Sequence, residues 1–235
     1  METTIYNETL GQLLDYKNLI DFISSNSSSM HNCTAFIDAP CGTGVLLKQA
    51  DILKKKLAGI DLRKDRTQES WRLNKSITIV EGNILDINKI SELKHLENAY
   101  LHMGFSFMNI FPKAIRREII TAIHSSEFIK SVGFEIQNYN YQIENYESNK
   151  WYINKLKNGT ILKSRNTHID SESYKLELCF KNGVQEVTET EKLFFWRLDD
   201  CIKDCLNFNW STINIKPATY RNNSEISHWY IELTK

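Results

Sequence analysis

The fold of this chain is decided by the stretch Phe36-Ile37-Asp38-Ala39-Pro40-Cys41-Gly42-Thr43-Gly44. In it a short apolar run ends in an acid, two glycines follow at once, and a helix-forming segment at 45–50 comes next. Glycine adopts backbone angles that other residues avoid and lets a ligand approach the main chain. The helix after the glycines presents unpaired N–H groups and a partial positive charge. The stretch therefore predicts a strand, a tight turn and a helix that together bind a small ligand.

The chemistry of this turn differs from that of a phosphate-binding loop. Asp38 places a carboxylate where a pyrophosphate would lie, and no GKS or GKT sequence follows the glycines. A carboxylate suits a ligand that carries an ammonium group or hydroxyl groups. The G-x-G-x-x-G pattern of dinucleotide-binding enzymes is also absent, because Val45-Leu46-Leu47 follows Gly44. A dinucleotide-binding enzyme stays the nearest rival for this topology, and capping of turns by Asp38 and Asp61 stays the purely structural alternative.

Polar side chains also follow the next two predicted strands. Asp61 comes seventeen residues after Gly44, at a strand end where an acid can accept hydrogen bonds from both hydroxyls of a ribose. The third strand runs into Glu81-Gly82-Asn83-Ile84-Leu85-Asp86, in which Asn83 can bind an adenine edge and Ile84 can pack on the ring. Three successive strand ends thus each offer one part of a ligand made of adenosine and an amino acid.

Strands and helices alternate in the first part of the chain. Strands are predicted at 34–38, 56–61, 76–81, 98–103 and 132–136, and helices at 8–23, 45–50, 65–71 and 112–129. Such alternation is typical of a parallel sheet with helices on both faces.

The pattern changes after about residue 139. Strand-like segments at 159–170, 174–181 and 184–196 surround the hairpin signal Asn182-Gly183, and apolar and polar residues alternate from Tyr174 to Lys181. A helix at 197–208 and strands at 212–215 and 229–233 follow. We therefore divide the chain into an N-terminal helical lid with a ligand-binding core at 1–137, an antiparallel β insert at 138–196, and a closing segment at 197–235.

Four stretches carry a resemblance to a known family. They are FIDAPCGTG at 36–44, GIDLR at 59–63, VEGNILDI at 80–87 and YLHMGFSFMNI at 100–110. On these stretches the chain resembles the class I S-adenosylmethionine-dependent methyltransferases of the small-molecule type, and its layout is similar to that of the amino-sugar and glycine N-methyltransferases. The resemblance implies an α/β fold with a seven-stranded Rossmann-like core. Its sheet is mostly parallel with an antiparallel last strand, and an antiparallel β insert, which would cover the methyl acceptor, follows the fifth strand.

The resemblance also implies a cofactor, S-adenosyl-L-methionine, with S-adenosyl-L-homocysteine as its product. In the family, the glycine loop cradles the methionine part, the acid after the second strand holds the ribose, and the loop after the third strand holds the adenine. The implied cofactor-binding residues are Tyr16, Asp38, Ala39, Gly42, Gly44, Asp61, Leu62, Asn83, Ile84 and Met103. Asn83 stands where the family more often has an aspartate.

The expected methyl acceptor is a small polar metabolite, such as a sugar or a nucleotide-linked sugar, methylated on nitrogen or oxygen by in-line displacement. The N-P-P-Y and D-P-P-Y motifs of nucleobase methyltransferases are absent after the fourth strand. Because 29 basic side chains also balance 29 acidic ones, we expect no nucleic-acid partner. His102 is the candidate catalytic base. The candidate acceptor-binding residues are Tyr6, Phe105, Asn138 and Tyr139.

Further expectations concern the setting of the protein. No stretch is apolar enough to span a membrane and no secretory signal is present, so we expect neither a membrane partner nor export. We interpret the five cysteines as buried free thiols of a cytoplasmic protein without a metal, with a zinc or disulfide site as the alternative. The layout implies a homodimer through the insert. A non-catalytic scaffold of the same fold, and a protein or RNA methyltransferase, are the alternative functions.

Overall fold

The strands of the molecule form two separate sheets. A computed structural model describes residues 15–104, 107–156, 158–221 and 226–235. Its strands are β1 (Ala35–Asp38), β2 (Lys56–Asp61), β3 (Thr78–Glu81), β4 (Ala99–Met103), β5 (Ile129–Gln137), β6 (Trp151–Lys155), β7 (Ile161–His168), β8 (Ser173–Asn182), β9 (Gln185–Phe194), β10 (Thr212–Pro217) and β11 (His228–Thr234).

Helices cover both faces of the first sheet. The α-helices are α1 (Tyr16–Asn26), α2 (Ser28–Asn32), α3 (Val45–Ala50), α4 (Lys64–Leu73), α5 (Lys113–His124), α6 (Tyr139–Asn145) and α7 (Leu198–Leu206). Short 3-10 helices lie at Asp51–Leu53, Ile84–Lys89, Ser91–Leu93, Phe107–Ile110 and Thr219–Arg221.

The central sheet has seven strands in the order β10-β11-β5-β4-β1-β2-β3. The pairs β1–β2, β1–β4, β2–β3 and β4–β5 are parallel, whereas β11 runs antiparallel to both β5 and β10. The prediction of a mostly parallel seven-stranded sheet with an antiparallel last strand is confirmed. The last strand of the chain does not lie at an edge, because it inserts between β5 and β10.

Burial on both faces explains why the core strands are so apolar. All residues of β1 and β4 are buried, as expected for parallel strands that are covered by helices on each side. One layer of the core contains apolar side chains of α5 and α7, and the other contains those of α1 and α3. Neighbouring residues of a central strand therefore enter different layers.

The second sheet is the predicted antiparallel insert, with strand order β6-β7-β8-β9. The sequence analysis missed β6 and α6. β6 is an edge strand in which four of the five residues are exposed, so it lacks the apolar alternation that identifies a strand. The loop between β8 and β9 is Gly183-Val184, one residue later than the Asn-Gly signal indicated, because Asn182 pairs with Gln185.

Two helix boundaries also differ from the prediction. The helix predicted at 112–129 ends at His124, and Ile129 is the first residue of β5. An isoleucine fits a buried helix face and a buried strand equally well, so the apolar pattern alone does not place this boundary. The N-terminal helix begins at Tyr16 in the described residues, and residues 8–14 of the predicted helix lie outside them.

Two observations bear on the setting of the protein. None of the helices in the described ranges combines the length and the apolar character that crossing a membrane requires. All five cysteines are buried as free thiols.

Candidate functional site

A cleft lies between the insert sheet and the edge of the central sheet at which the parallel strands end. It encloses about 310 Å³, a volume at the lower end of the range for small-molecule sites. In open α/β sheets ligands bind outside this same edge. The central domain contributes Tyr16, Asp38, Pro40, Cys41, Gly42, Thr43, Val45, Leu46, Arg66, Gly104, Phe107 and Ile110 to the cleft, and the insert contributes Leu176, Leu178, Phe180, Glu189 and Glu191.

The glycine turn forms the floor of the cleft next to β1. Gly42 and Gly44 have φ angles of 53° and 75°, a left-handed backbone conformation that is unfavourable for residues other than glycine. The amide of Gly44 donates to the Cys41 carbonyl over 2.9 Å and closes the turn. A Cβ atom at position 44 would lie 2.2 Å from Ser70 Oγ of α4. Both the backbone angle and the close packing of α4 thus require glycine at position 44.

Asp61 ties the end of β2 to this turn. Its Oδ2 accepts a hydrogen bond from the Gly42 amide over 2.8 Å, and its Oδ1 accepts one from the Arg63 amide over 2.9 Å. The side chain is nearly buried, with 4% of the residue exposed. Because each carboxylate oxygen has two lone pairs, both oxygens keep capacity for a further donor.

Asp38 and His102 form a buried pair beneath the cleft. Asp38 ends β1 and lines the cavity, and its Oδ1 lies 3.0 Å from His102 Nδ1. Burial raises the pKa of Asp38, and the hydrogen bond from His102 opposes that rise. His102 is completely buried and its ring stacks between Phe36 and Tyr230. A general base must reach the proton that it removes, so this geometry favours a supporting role for His102 over the direct one that the sequence suggested.

The insert brings acidic and apolar side chains to the cleft that the sequence analysis did not single out. Leu176 pairs with Glu191 and Leu178 with Glu189 across β8 and β9, and all four line the cavity. Desolvation and the neighbouring Glu189 raise the pKa of Glu191, and Arg66 of α4 opposes the rise. Alternation along 187–193 could have placed both glutamates on one face of a strand. It could not show that this face turns toward the glycine turn.

The insert rejoins the central domain through buried hydrogen bonds. Asn109 Nδ2 and Arg116 Nη1 both donate to the Phe194 carbonyl, over 2.8 and 3.3 Å, and Arg116 Nη2 donates to the Phe195 carbonyl over 3.2 Å. The Arg116 guanidinium also lies 4.9 Å from the centre of the Trp196 ring. Burial lowers the pKa of Arg116 to about 10. These contacts fix the end of β9 against α5, and hence hold the insert over the cleft.

Comparison with solved structures identifies the fold. A S-adenosylmethionine-dependent methyltransferase from Clostridium acetobutylicum superposes with a TM-score of 0.78 at 16% identity, covering 98% of this chain and 96% of that one. The S-adenosylmethionine-bound amino pentose methyltransferase of calicheamicin biosynthesis from Micromonospora echinaspora gives 0.71 at 11% identity, covering 94% and 90%. A sugar N-methyltransferase from a Streptoalloteichus species gives 0.69 at 8% identity, covering 94% and 88%. The chain has the fold of the S-adenosylmethionine-dependent methyltransferases. No protein-family model matches the sequence, and no curated protein matches it significantly.

Within this methyltransferase fold, the residues implied for the cofactor occupy three strand ends. Leu62 is 69% exposed, and Asn83 is exposed at the end of β3. Asn83 Oδ1 accepts from the Leu85 amide over 3.0 Å, so the side chain also caps the 3-10 helix after β3. Ile84 is mostly buried in the core. These three residues, like Asp61, are absent from the cavity lining.

Two of the implied cofactor residues point their side chains into the core. Ala39 and Met103 belong to the layer that packs against α5. The alternation of a strand explains this difference from expectation, since Met103 and His102 enter opposite layers. Either residue could touch a ligand only through its main chain, and the Ala39 amide already donates to the His102 carbonyl over 2.9 Å.

Of the residues expected to bind the acceptor, Asn138 and Tyr139 are absent from the cavity lining. Asn138 Nδ2 donates to the Ile226 carbonyl over 2.6 Å, and the Tyr139 ring packs edge-on against Phe195 beneath the Arg197 guanidinium. Both side chains are held in the junction between β5 and the insert. Tyr6 and Phe105 lie outside the described residues. Tyr16, in contrast, lines the cavity.

Proposed function

We propose that the chain is a S-adenosyl-L-methionine-dependent methyltransferase that methylates a small polar metabolite. The observation that carries this proposal is the convergence of Asp38, the glycine turn and Asp61 at one edge of the central sheet. Asp38 and the glycine turn lie at the end of β1 and Asp61 ends β2, and the Asp61–Gly42 hydrogen bond joins these two strand ends. The likeness to solved methyltransferases over nearly the whole chain supports the same conclusion.

The residues at the site fit this cofactor. Asp61 keeps acceptor capacity for ribose hydroxyls, and Asp38 presents a carboxylate to the cavity, which suits the ammonium group of the methionine part. Gly42 and Gly44 let the main chain approach the ligand closely. The bound cofactor would supply a methyl group activated by the sulfonium. The side chains of Asn83, Leu62 and Ile84 are the candidates to receive the adenine.

For the acceptor we propose a sugar-like molecule with a free amino group, methylated on that nitrogen. Two of the similar structures are an amino pentose methyltransferase and a sugar N-methyltransferase. The cavity itself combines apolar walls, including Phe107 and Leu178, with the carboxylates of Glu189 and Glu191. Carboxylates in such a cavity attract an amine and repel an acceptor that carries a carboxylate or phosphate.

The residues of the chain would act mainly by alignment and by exclusion of water. The apolar face of β8 covers the cleft, and Arg116 and Asn109 fix the end of β9. Holding the acceptor nitrogen in line with the methyl group supplies much of the rate enhancement in such a transfer. An amine must lose its proton before attack, and the Glu191 carboxylate is the cavity group that we assign to accept it, because its raised pKa suits that task.

The first test is titration calorimetry with S-adenosyl-L-homocysteine on the wild type and on Asp61→Ala. Micromolar binding that is lost in the variant supports the cofactor site, and absence of binding by the wild type at millimolar ligand contradicts the proposal. Transfer of labelled methyl to amino sugars, compared with the matching hydroxy sugars, then tests the acceptor class. Binding without transfer to any metabolite extract would instead indicate the non-catalytic scaffold.

A further inference from the structure

Asp38 is the member of the Asp38–His102 pair that lines the cavity. β1 and β4 are parallel neighbours whose register sets Asp38 directly beside His102. The carboxylate lines the cavity, and the imidazole is absent from the cavity lining of the described residues and has 0% of its surface exposed. The 3.0 Å contact between Nδ1 and Oδ1 is therefore a route by which the imidazole can act on a bound ligand.

Packing holds the imidazole in one orientation. Its ring lies 5.9 Å from that of Phe36 and 6.3 Å from that of Tyr230, and is nearly parallel to both. A Cβ atom at Gly104 would lie 2.3 Å from Cε1, so glycine at that position leaves the space which the ring fills. These three neighbours pack around the ring, and Nδ1 is directed at Asp38.

The Asp38 carboxylate needs a donor to stay ionised at this depth. Desolvation favours the neutral form of a carboxyl group, and burial accordingly raises the pKa of Asp38, with a smaller contribution from the Asp61 charge. The imidazole opposes both effects through its hydrogen bond and its charge. With Asp38 ionised, Nδ1 carries the proton and donates it to Oδ1.

We propose that His102 is a positioning residue that holds the Asp38 carboxylate, ionised and correctly oriented, for the cationic amino-acid end of the cofactor. The inference rests on the proposed function, because it needs that cofactor in the cleft. It gives His102 a role on the cofactor side of the reaction and leaves proton removal from the acceptor to other groups.

Other ionisable groups contact His102, lie near Asp38 or line the cavity. They are Tyr230 of β11, Asp61 of β2, Cys41 of the glycine turn, Tyr16 of α1, Arg66 of α4, and Glu189 and Glu191 of β9. Burial and the two aspartates raise the pKa of Cys41 so far that its thiol stays neutral. The test therefore compares the affinity of each variant with that of the wild type at the same pH. The groups that both proteins share contribute equally to the two affinities, so their contribution cancels in the ratio.

The test compares three substitutions with two ligands by titration calorimetry. His102→Asn keeps a donor near the position of Nδ1, His102→Leu removes it, and His102→Gln moves it. S-adenosyl-L-homocysteine carries the ammonium group, whereas 5′-methylthioadenosine lacks the amino-acid part. We expect His102→Leu and His102→Gln to weaken S-adenosyl-L-homocysteine binding about tenfold, the size of one charged hydrogen bond, and to leave 5′-methylthioadenosine binding unchanged. His102→Asn should stay near the wild type, as should the exposed control His95→Asn.

A pH series separates positioning from a merely structural role. Without its donor the carboxyl group of Asp38 has a still higher pKa, so the loss of affinity in His102→Leu should be largest at low pH and shrink as the pH rises. His102→Gln serves in the same series if the leucine variant does not fold. Equal weakening of both ligands, a loss in His102→Asn as large as in His102→Leu, or a loss independent of pH would each overturn the inference. Failure of the wild type to bind S-adenosyl-L-homocysteine would instead refute the proposed function itself.

Discussion

The two sheets of this protein face the same cleft but contribute to it in different ways. The central strands β1 and β4 are buried on both faces, and the Asp61–Gly42 hydrogen bond joins the ends of β1 and β2. The insert sheet lines the cleft with side chains of β8 and β9, and exposed β6 forms one of its edges. The central sheet thus supplies a backbone frame, made of β1, β2 and the glycine turn at 41–44. The insert supplies side chains of β8 and β9 that line the cavity.

The largest difference in the free energy of unfolding should separate alanine at Gly44 of the frame from alanine at Gly183 of the insert. Gly44→Ala forces alanine into a left-handed backbone conformation and places its Cβ 2.2 Å from Ser70 Oγ. It should lower the free energy of unfolding by about 2–5 kcal/mol. Gly183→Ala has a similarly positive φ with no atom within 4 Å, and should cost only about 1–2 kcal/mol. Urea unfolding of both variants measures the difference. Equal losses would show that the frame is no more tightly packed than the hairpin.

The next comparison concerns the junction between the two sheets. Arg116→Met removes donors from two buried carbonyls, and should reduce the free energy of unfolding by about 2–3 kcal/mol. Arg72→Met removes an exposed ion pair with Glu69, and should leave the urea midpoint unchanged. A variant at 116 as stable as the wild type would mean that the insert is held on by its apolar contacts alone.

The third prediction compares the affinity for S-adenosyl-L-homocysteine of variants at Asp61 and Asp65. Asp61→Asn keeps the size of the side chain but loses the charge and one of the two oxygens that accept from the Gly42 and Arg63 amides, so S-adenosyl-L-homocysteine should bind about tenfold more weakly or worse by titration calorimetry. Asp65→Asn is the matched control, since Asp65 pairs with Arg63 at the surface, and its effect should stay below about twofold. Similar losses in both variants would point to general electrostatics rather than to the Asp61 contact.

The smallest effect on cofactor binding is expected from a charge on the insert. Glu191 lines the cavity but keeps contact with solvent, so Glu191→Gln should weaken binding of the cationic S-adenosyl-L-methionine by about twofold at low salt. Binding of the product S-adenosyl-L-homocysteine, which lacks the sulfonium charge, should be unaffected. Because salt screens exposed charges, the difference should vanish near 1 M salt. A loss that persists at high salt would show that Glu191 contacts the cofactor directly.

The sequence by itself determined the frame. The apolar strands, the glycine turn and Asp61 follow from local rules, because buried parallel strands must be apolar and a left-handed turn favours glycine. The order of these segments along the chain predicted the parallel sheet, and the short spacing from Gly44 to Asp61 predicted that their strand ends meet. These features depend on residues close together in sequence, and a single sequence reveals them.

Only the tertiary structure decided which side chains meet across long separations. Asp38 and His102 are 64 residues apart, and the register of β1 and β4 makes them partners while sending the adjacent Met103 into the other layer. Arg116 and Phe194 are 78 residues apart, and Glu189 reaches the cleft only because β9 pairs with β8 above the glycine turn. The layer that a strand residue enters depends on its neighbours in the sheet, and these neighbours are chosen by the packing of the whole chain.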